Sequence, residues 1–134
     1  MVEWHGNSKR KISGGINTGN NARDKRLFEK GGLFSSTKVV VDGNEKRKSI
    51  RTRGNNLKVK AQSSKFVVVS DSKGKVVKGE VITVLDNTAN RDYTRTNILT
   101  KGAKIKVKIG NEEKIAIVSS RPGQSGTIQC VFAE

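Results

Sequence analysis

The chain has 134 residues, enough for one domain with a single core, yet only 33% of them are hydrophobic and 4% aromatic. Lys and Arg number 27 against 12 Asp and Glu, a formal net charge of +15, and charge of that size calls for a polyanionic partner, nucleic acid before an anionic membrane surface. A single cysteine, Cys130, and a single histidine, His5, exclude an internal disulfide and a Cys/His zinc site and leave nucleophile–base chemistry no adjacent pair. No apolar run reads as a signal peptide or membrane span, so a soluble, intracellular protein is expected.

Residues 1–36 carry Lys9, Arg10, Lys11, Arg23, Lys25, Arg26 and Lys30, recurrent glycines and only scattered apolar side chains. Such a segment cannot bury enough surface to offset chain entropy and is expected to be a basic extension that orders on a partner. Ala22 to Lys30 has room for about two helical turns with Leu27 and Phe28 facing that partner. Gly14 to Gly19 has the glycine spacing of a P-loop, but the Lys and Ser/Thr that should follow are missing and no apolar strand precedes it, so a flexible, RNA-threading stretch is the better reading.

From Thr37 the period becomes two. Thr37–Val41 is a candidate strand ended by a turn at Asp42-Gly43-Asn44. Lys46 to Lys60 then reads as two short strands joined by Gly54-Asn55-Asn56, with Ile50 and Thr52 on one face and Arg51 and Arg53 on the other. Leu57, Val59 and Ala61 are expected to point inward and Lys58 and Lys60 outward. Lys65–Ser70 and Val76–Leu85 follow around a hairpin loop at 71–75, the second apolar on both faces and so central. Asp86 to Thr100 is polar, rich in Asn and too long for a tight turn, and loops of that kind are usually functional; Asp86 or Asn87 is placed to cap a helical turn. Ala103, Ile105, Val107 and Ile109 face in while Lys104, Lys106 and Lys108 face out. Strands at 114–119 and 127–132, separated by a turn at 121–126, close the sheet. Short strands with Gly/Asn turns give a mainly β fold: a small antiparallel β-barrel at 37–134, preceded by the long, basic, largely irregular extension at 1–36.

Outward cations are the strongest functional signal. Arg51, Arg53, Lys58 and Lys60, with Lys46, Arg47 and Lys48 before them, form the main candidate phosphate surface, whereas the Lys104–Lys108 row lies close to Glu112 and Glu113, which can neutralise it. Of the aromatics only Trp4 and Tyr93 look exposed enough to stack; Phe66 and Phe132 fit core positions. The expected mode is therefore phosphate and shape recognition of folded RNA or duplex rather than base reading. Arg91, Tyr93 and Arg95 form a second candidate contact. Cys130 shares a face with Ile128 and Phe132 and reads as a core thiol. No carboxylates are spaced for acid–base work, so no catalysis, cofactor, metal or small-molecule substrate is expected.

Four stretches in order carry a family resemblance: Trp4 to Lys11 with Ser13-Gly14-Gly15 and Lys25-Arg26; Ile50-Arg51-Thr52-Arg53-Gly54-Asn55 with Lys58-Val59; Asn87 to Tyr93 continuing through Asn97-Ile98 to Thr100-Lys101-Gly102-Ala103; and Ser120-Arg121-Pro122-Gly123-Gln124 with Gly126. In these the chain resembles archaeal-type members of the small-subunit ribosomal protein eight-e family. The resemblance implies a structural, non-enzymatic protein of the cytoplasmic ribosome. It also implies a β-barrel body, an N-terminal extension laid into small-subunit ribosomal RNA, and neighbouring ribosomal proteins as partners. RNA contacts are then expected at Trp4, His5, Lys9, Arg10, Lys11, Arg23, Lys25, Arg26, Lys46, Arg47, Lys48, Arg51, Arg53, Lys58, Lys60, Arg91, Tyr93, Arg95, Lys101 and Arg121. Thr88 departs from an expected proline and Asn7 from an expected cation. An assembly factor, a DNA-compacting protein and an RNA-modifying enzyme are the alternatives.

Overall fold

A computed structural model of the chain describes residues 2–18, 25–40, 43–71 and 73–133, with the side chain of Arg53 outside the description. The chain divides into two compact units, Met1–Phe34 and Ser35–Glu134.

In the first unit, β1 (Glu3–Trp4) pairs antiparallel with β2 (Lys30–Gly31), and His5 N–H donates to the Glu29 carbonyl. An isolated bridge joins Arg10 to Ile16 around a turn. Where two α-helical turns were expected over Ala22–Lys30, the described part holds one 3-10 turn, Leu27–Glu29, running directly into β2. The start of the expected helix, and Arg23, lie outside the described residues. Leu27 and Phe28 are exposed.

The second unit is built on a closed five-stranded barrel. Its strands are β6 (Phe66–Ser70), β7 (Val76–Asp86), β8 (Lys104–Ile109), β9 (Glu112–Val118) and β10 (Gln129–Phe132), in the order β10-β6-β7-β8-β9. The expected wholly antiparallel barrel needs one correction: β10 runs parallel to β6, with Gln129 opposite Val68 and Cys130 opposite Val69. Strict alternation of direction cannot close around an odd number of strands, so one neighbouring pair must be parallel.

Alternation within these strands fills the barrel. Val67, Val69, Val81, Val84, Ala103, Ile105, Val107, Ala116, Val118, Ile128 and Cys130 are buried with Leu99, and Ile109 and Phe132 pack at the margin. Burial pushes the Cys130 thiol up to about 12, as befits a core group. Phe66, expected in the core, is half-buried on the outer face, where Lys78 Nζ lies 3.9 Å from its ring centroid. Its neighbours Val67 and Val69 hold the inward parity, so Phe66 must take the other side.

A three-stranded sheet, β3-β5-β4, completes the unit. β3 (Lys38–Val39) is shorter than the expected Thr37–Val41; Val41 and Asp42 lie outside the described residues. It runs parallel to β5 (Leu57–Ser64) at Ser63 and Ser64. β4 (Lys46–Arg51) pairs antiparallel with β5 from Leu57 to Ser63.

Candidate nucleic-acid interface

β4 and β5 form a ribbon that is two-stranded from Arg47 to its tip, because β3 reaches β5 only at Ser63 and Ser64. The tip is closed by Thr52, whose N–H and hydroxyl both donate to the Asn56 carbonyl at 2.8 and 3.0 Å. Gly54 and Asn55 sit at φ 74° and 63°, the left-handed conformation that Gly and Asn adopt at least cost. The turn anticipated from Gly54-Asn55-Asn56 is thus present, as a short 3-10 segment at Arg53–Asn55.

The register decides where the cations go. Residues directly opposite in an antiparallel pair share a face. Arg51 is opposite Leu57, Ser49 opposite Val59 and Arg47 opposite Ala61; Ile50 is opposite Lys58 and Lys48 opposite Lys60. Lys48, Lys58 and Lys60 therefore share one face; Lys46, across the bulge from Arg47, is opposite Ser63 instead. Arg47 and Arg51 occupy the other face. The expected single surface of Arg51, Arg53, Lys58 and Lys60 is corrected to this split, with Arg53 at the tip.

A second correction concerns the apolar residues. Leu57 and Val59, expected to point inward, are exposed at 73% and 38%, while Lys58 and Lys60 are half-buried. Only Ala61 is fully buried, where Thr37 Oγ1 donates to its carbonyl at 2.7 Å. Val59 is covered only in part, by Gly126, and Leu57 nearer the tip is left open, so parity there assigns a face and not a core.

Three devices fix the ribbon to the barrel. The Glu45 carboxylate accepts hydrogen bonds from Ser64 Oγ (2.7 Å), Phe66 N–H (3.1 Å) and Lys65 N–H (3.3 Å) and pairs with Arg47 at 3.1 Å. Burial works to raise its pKa, but the Ser64, Phe66 and Lys65 hydrogen bonds and the Arg47 guanidinium together hold it below the ordinary value. Next, α2 (Pro122–Ser125) packs on β5 and ends at Gly126, which has φ 71°. A Cβ at Gly126 would fall 2.7 Å from Val59 Cγ1, so the close approach as well as the conformation requires glycine. Finally, β3 links β5 to the Asn-rich loop: Val39 N–H donates to the Asn97 carbonyl and Leu99 N–H to the Thr37 carbonyl.

That loop holds α1 (Arg91–Arg95), capped by Asn90, whose Oδ1 accepts from Asp92 N–H at 2.9 Å. Asp86 and Asn87 were the expected caps. Asp86 instead ends β7, and Asn87 is buried as a brace. Its amide donates to the Ile98 carbonyl, and its Oδ1 accepts from Ala89 N–H and Thr100 Oγ1. Arg91 and Arg95 are exposed, Arg95 at 4.0 Å from Asp92; Tyr93 is half-buried rather than free to stack. Lys101 and Arg121 are exposed in the turns that lead into β8 and α2.

Within the first unit Trp4 is 41% exposed with Lys25 Nζ 5.6 Å from its ring centroid. His5 packs against Gly31, and Lys9, Arg10, Lys11 and Arg26 are exposed. Arg10 spends one donor on the Gly14 carbonyl at 2.9 Å.

These features define a basic barrel protein bearing a two-faced cationic ribbon and no cluster of metal-ligating side chains among the described residues. Comparison with known proteins gives the particular family. The family model described as ribosomal protein S8e matches residues 4–132. The small ribosomal subunit protein eS8 of Methanosarcina barkeri is 40% identical over 134 residues, covering 99% of this chain and 100% of the relative. That of Methanococcus vannielii is 39% identical over 133 residues, covering 98% of each. The chain belongs to the ribosomal protein S8e family.

Proposed function

We propose that this protein is a structural, non-catalytic constituent of the small ribosomal subunit in the cytoplasmic ribosome, where it binds ribosomal RNA by phosphate and shape contacts and supports subunit assembly. The observation that carries the binding mode is the ribbon. Its two strands carry Lys46, Arg47, Lys48, Arg51, Lys58 and Lys60 without one carboxylate. Glu45, just before β4, answers Arg47; cations gathered on two neighbouring strands attract a polyanion. Arg91 and Arg95 on α1, with Lys101 and Arg121, provide further contacts. The segment through residue 36 is laid into the RNA through Trp4, His5, Lys9, Arg10, Lys11, Arg23, Lys25 and Arg26, and neighbouring ribosomal proteins share the surroundings.

Two measurements test this. In salt-washed, translating archaeal ribosomes the protein should be present at one copy per small subunit; its loss from mature subunits would make it an assembly factor instead. The isolated protein should prefer small-subunit ribosomal RNA over duplex DNA of equal length in direct competition, and equal binding would point to a general polyanion binder.

A further inference from the structure

The ribbon's two faces differ in chemistry as well as direction. One carries Lys48, Lys58 and Lys60 around Ile50; the other carries Arg51 beside exposed Leu57 towards the tip, with Val59 and the Glu45-paired Arg47 further down. Away from the bulge the sorting holds: Lys48, Lys58 and Lys60 stand on one side and Arg47 and Arg51 on the other. Ammonium groups act as compact, hydrated point charges, suited to following a phosphate backbone. A guanidinium is planar, weakly hydrated and able to stack, and beside an aliphatic surface it suits unstacked bases and ribose edges.

Tips of long side chains leaving opposite faces of one sheet lie about 10 Å or more apart, since each face alone needs roughly half the spacing between packed sheets. One RNA strand cannot serve both. We infer that the ribbon is held between two RNA segments, a paired helix whose backbone runs along the lysine face and an unpaired segment seated on the Arg51–Leu57 face. This rests on the ribbon being an RNA contact, and it adds that the ribbon joins two elements of the RNA and reads them differently.

Ser49 and Ile50 are consecutive on β4 and point to opposite faces. A photo-crosslinking phenylalanine analogue placed at each in turn, with Methanosarcina barkeri small-subunit ribosomal RNA as probe, reports the two sides separately. Crosslinks from position 50 should map to paired nucleotides, and those from position 49 to unpaired nucleotides in a separate segment. Crosslinks from both positions to the same nucleotides, or from position 50 alone, overturn the inference while leaving the ribbon as an RNA contact. Crosslinks from neither overturn both. A second arm does not depend on the probe residue. Arg51→Lys keeps the charge, so it should lower affinity about fivefold or more with the salt slope unchanged. Lys48→Gln should instead lower the slope by about 0.7–0.9. An Arg51→Lys variant that binds like the parent removes the arginine face from recognition. Thermal unfolding of each variant, expected unchanged at these surface positions, separates binding loss from misfolding.

Discussion

Two lysine rows in this protein look alike in sequence and differ in surroundings. Lys104, Lys106 and Lys108 alternate along β8 much as Lys46, Lys48, Lys58 and Lys60 alternate along the ribbon. Around β8 the partner strands supply the counter-charge: Asp86 stands opposite Lys104, Glu80 and Glu113 flank Lys108, and Glu113 forms an ion pair with Lys106. Glu112, the other acid suspected of neutralising this row, pairs with Lys114 at 2.9 Å, which lowers the Glu112 pKa and raises that of Lys114. β4 and β5 have each other as neighbours along most of their length, and both are basic. Alternation tells which way a side chain points; the strands alongside decide whether its charge is surplus.

The comparison can be broken most sharply by charge reversal. Lys48→Glu with Lys60→Glu should weaken ribosomal RNA binding roughly 100-fold at moderate salt, whereas Lys104→Glu with Lys108→Glu should cost about tenfold or less, both read by filter binding. Next in size is the ribbon's footing. Glu45→Gln should destabilise the fold by about 1.5–3 kcal/mol in urea unfolding near neutral pH, because a charged acceptor serving three donors is lost. The folded-state pKa of Glu45 is depressed, so its stabilisation is fully present above the ordinary carboxylate value and is lost as pH falls through the lower folded value. The gap between parent and variant should therefore be full near pH 6 and close in acid; a gap that persists would mean that Glu45 acts through packing rather than charge. Asn87→Ala should cost about 1–3 kcal/mol by leaving the Ile98 carbonyl and the Ala89 N–H without their partner. Native-state hydrogen exchange should place the resulting loosening in the α1 loop and not in the ribbon. The smallest effect belongs to the β8 row itself. Glu113→Gln should change stability by less than about 1 kcal/mol, as expected of an exposed ion pair.

Much of the barrel was legible because period-two patterns on β6 to β10 coincide with burial on one side, and the inward set Ala103, Ile105 and Val107 follows directly. The parallel closure of β10 on β6 was not, since pairing direction across the barrel is a property of strand number rather than of either strand. The ribbon's sequence gave its turn and its charge. It did not give the exposure of Leu57 and Val59, because an apolar residue alternating with lysine reads the same whether or not a second layer exists. The segregation of arginine from lysine depended on register, which a turn at Gly54-Asn55 fixes only once the strands are paired. In the Asn-rich loop, the abundance of Asn was visible but its division of labour was not: Asn90 caps α1, Asn87 braces the loop, and the Asn97 Oδ1 accepts from Thr83 and Val84 on β7.

The central claim is that the ribbon's lysines meet RNA phosphates while those of β8 meet the acids of their own neighbouring strands. Its most direct test is the salt dependence of binding to archaeal small-subunit ribosomal RNA by two matched variants, Lys48→Gln/Lys58→Gln/Lys60→Gln and Lys104→Gln/Lys106→Gln/Lys108→Gln. The account predicts that the first lowers the slope of log affinity against log salt by about 2–3 and the second by less than about 1. Equal slopes for the two variants, or a larger change in the β8 variant, would contradict it.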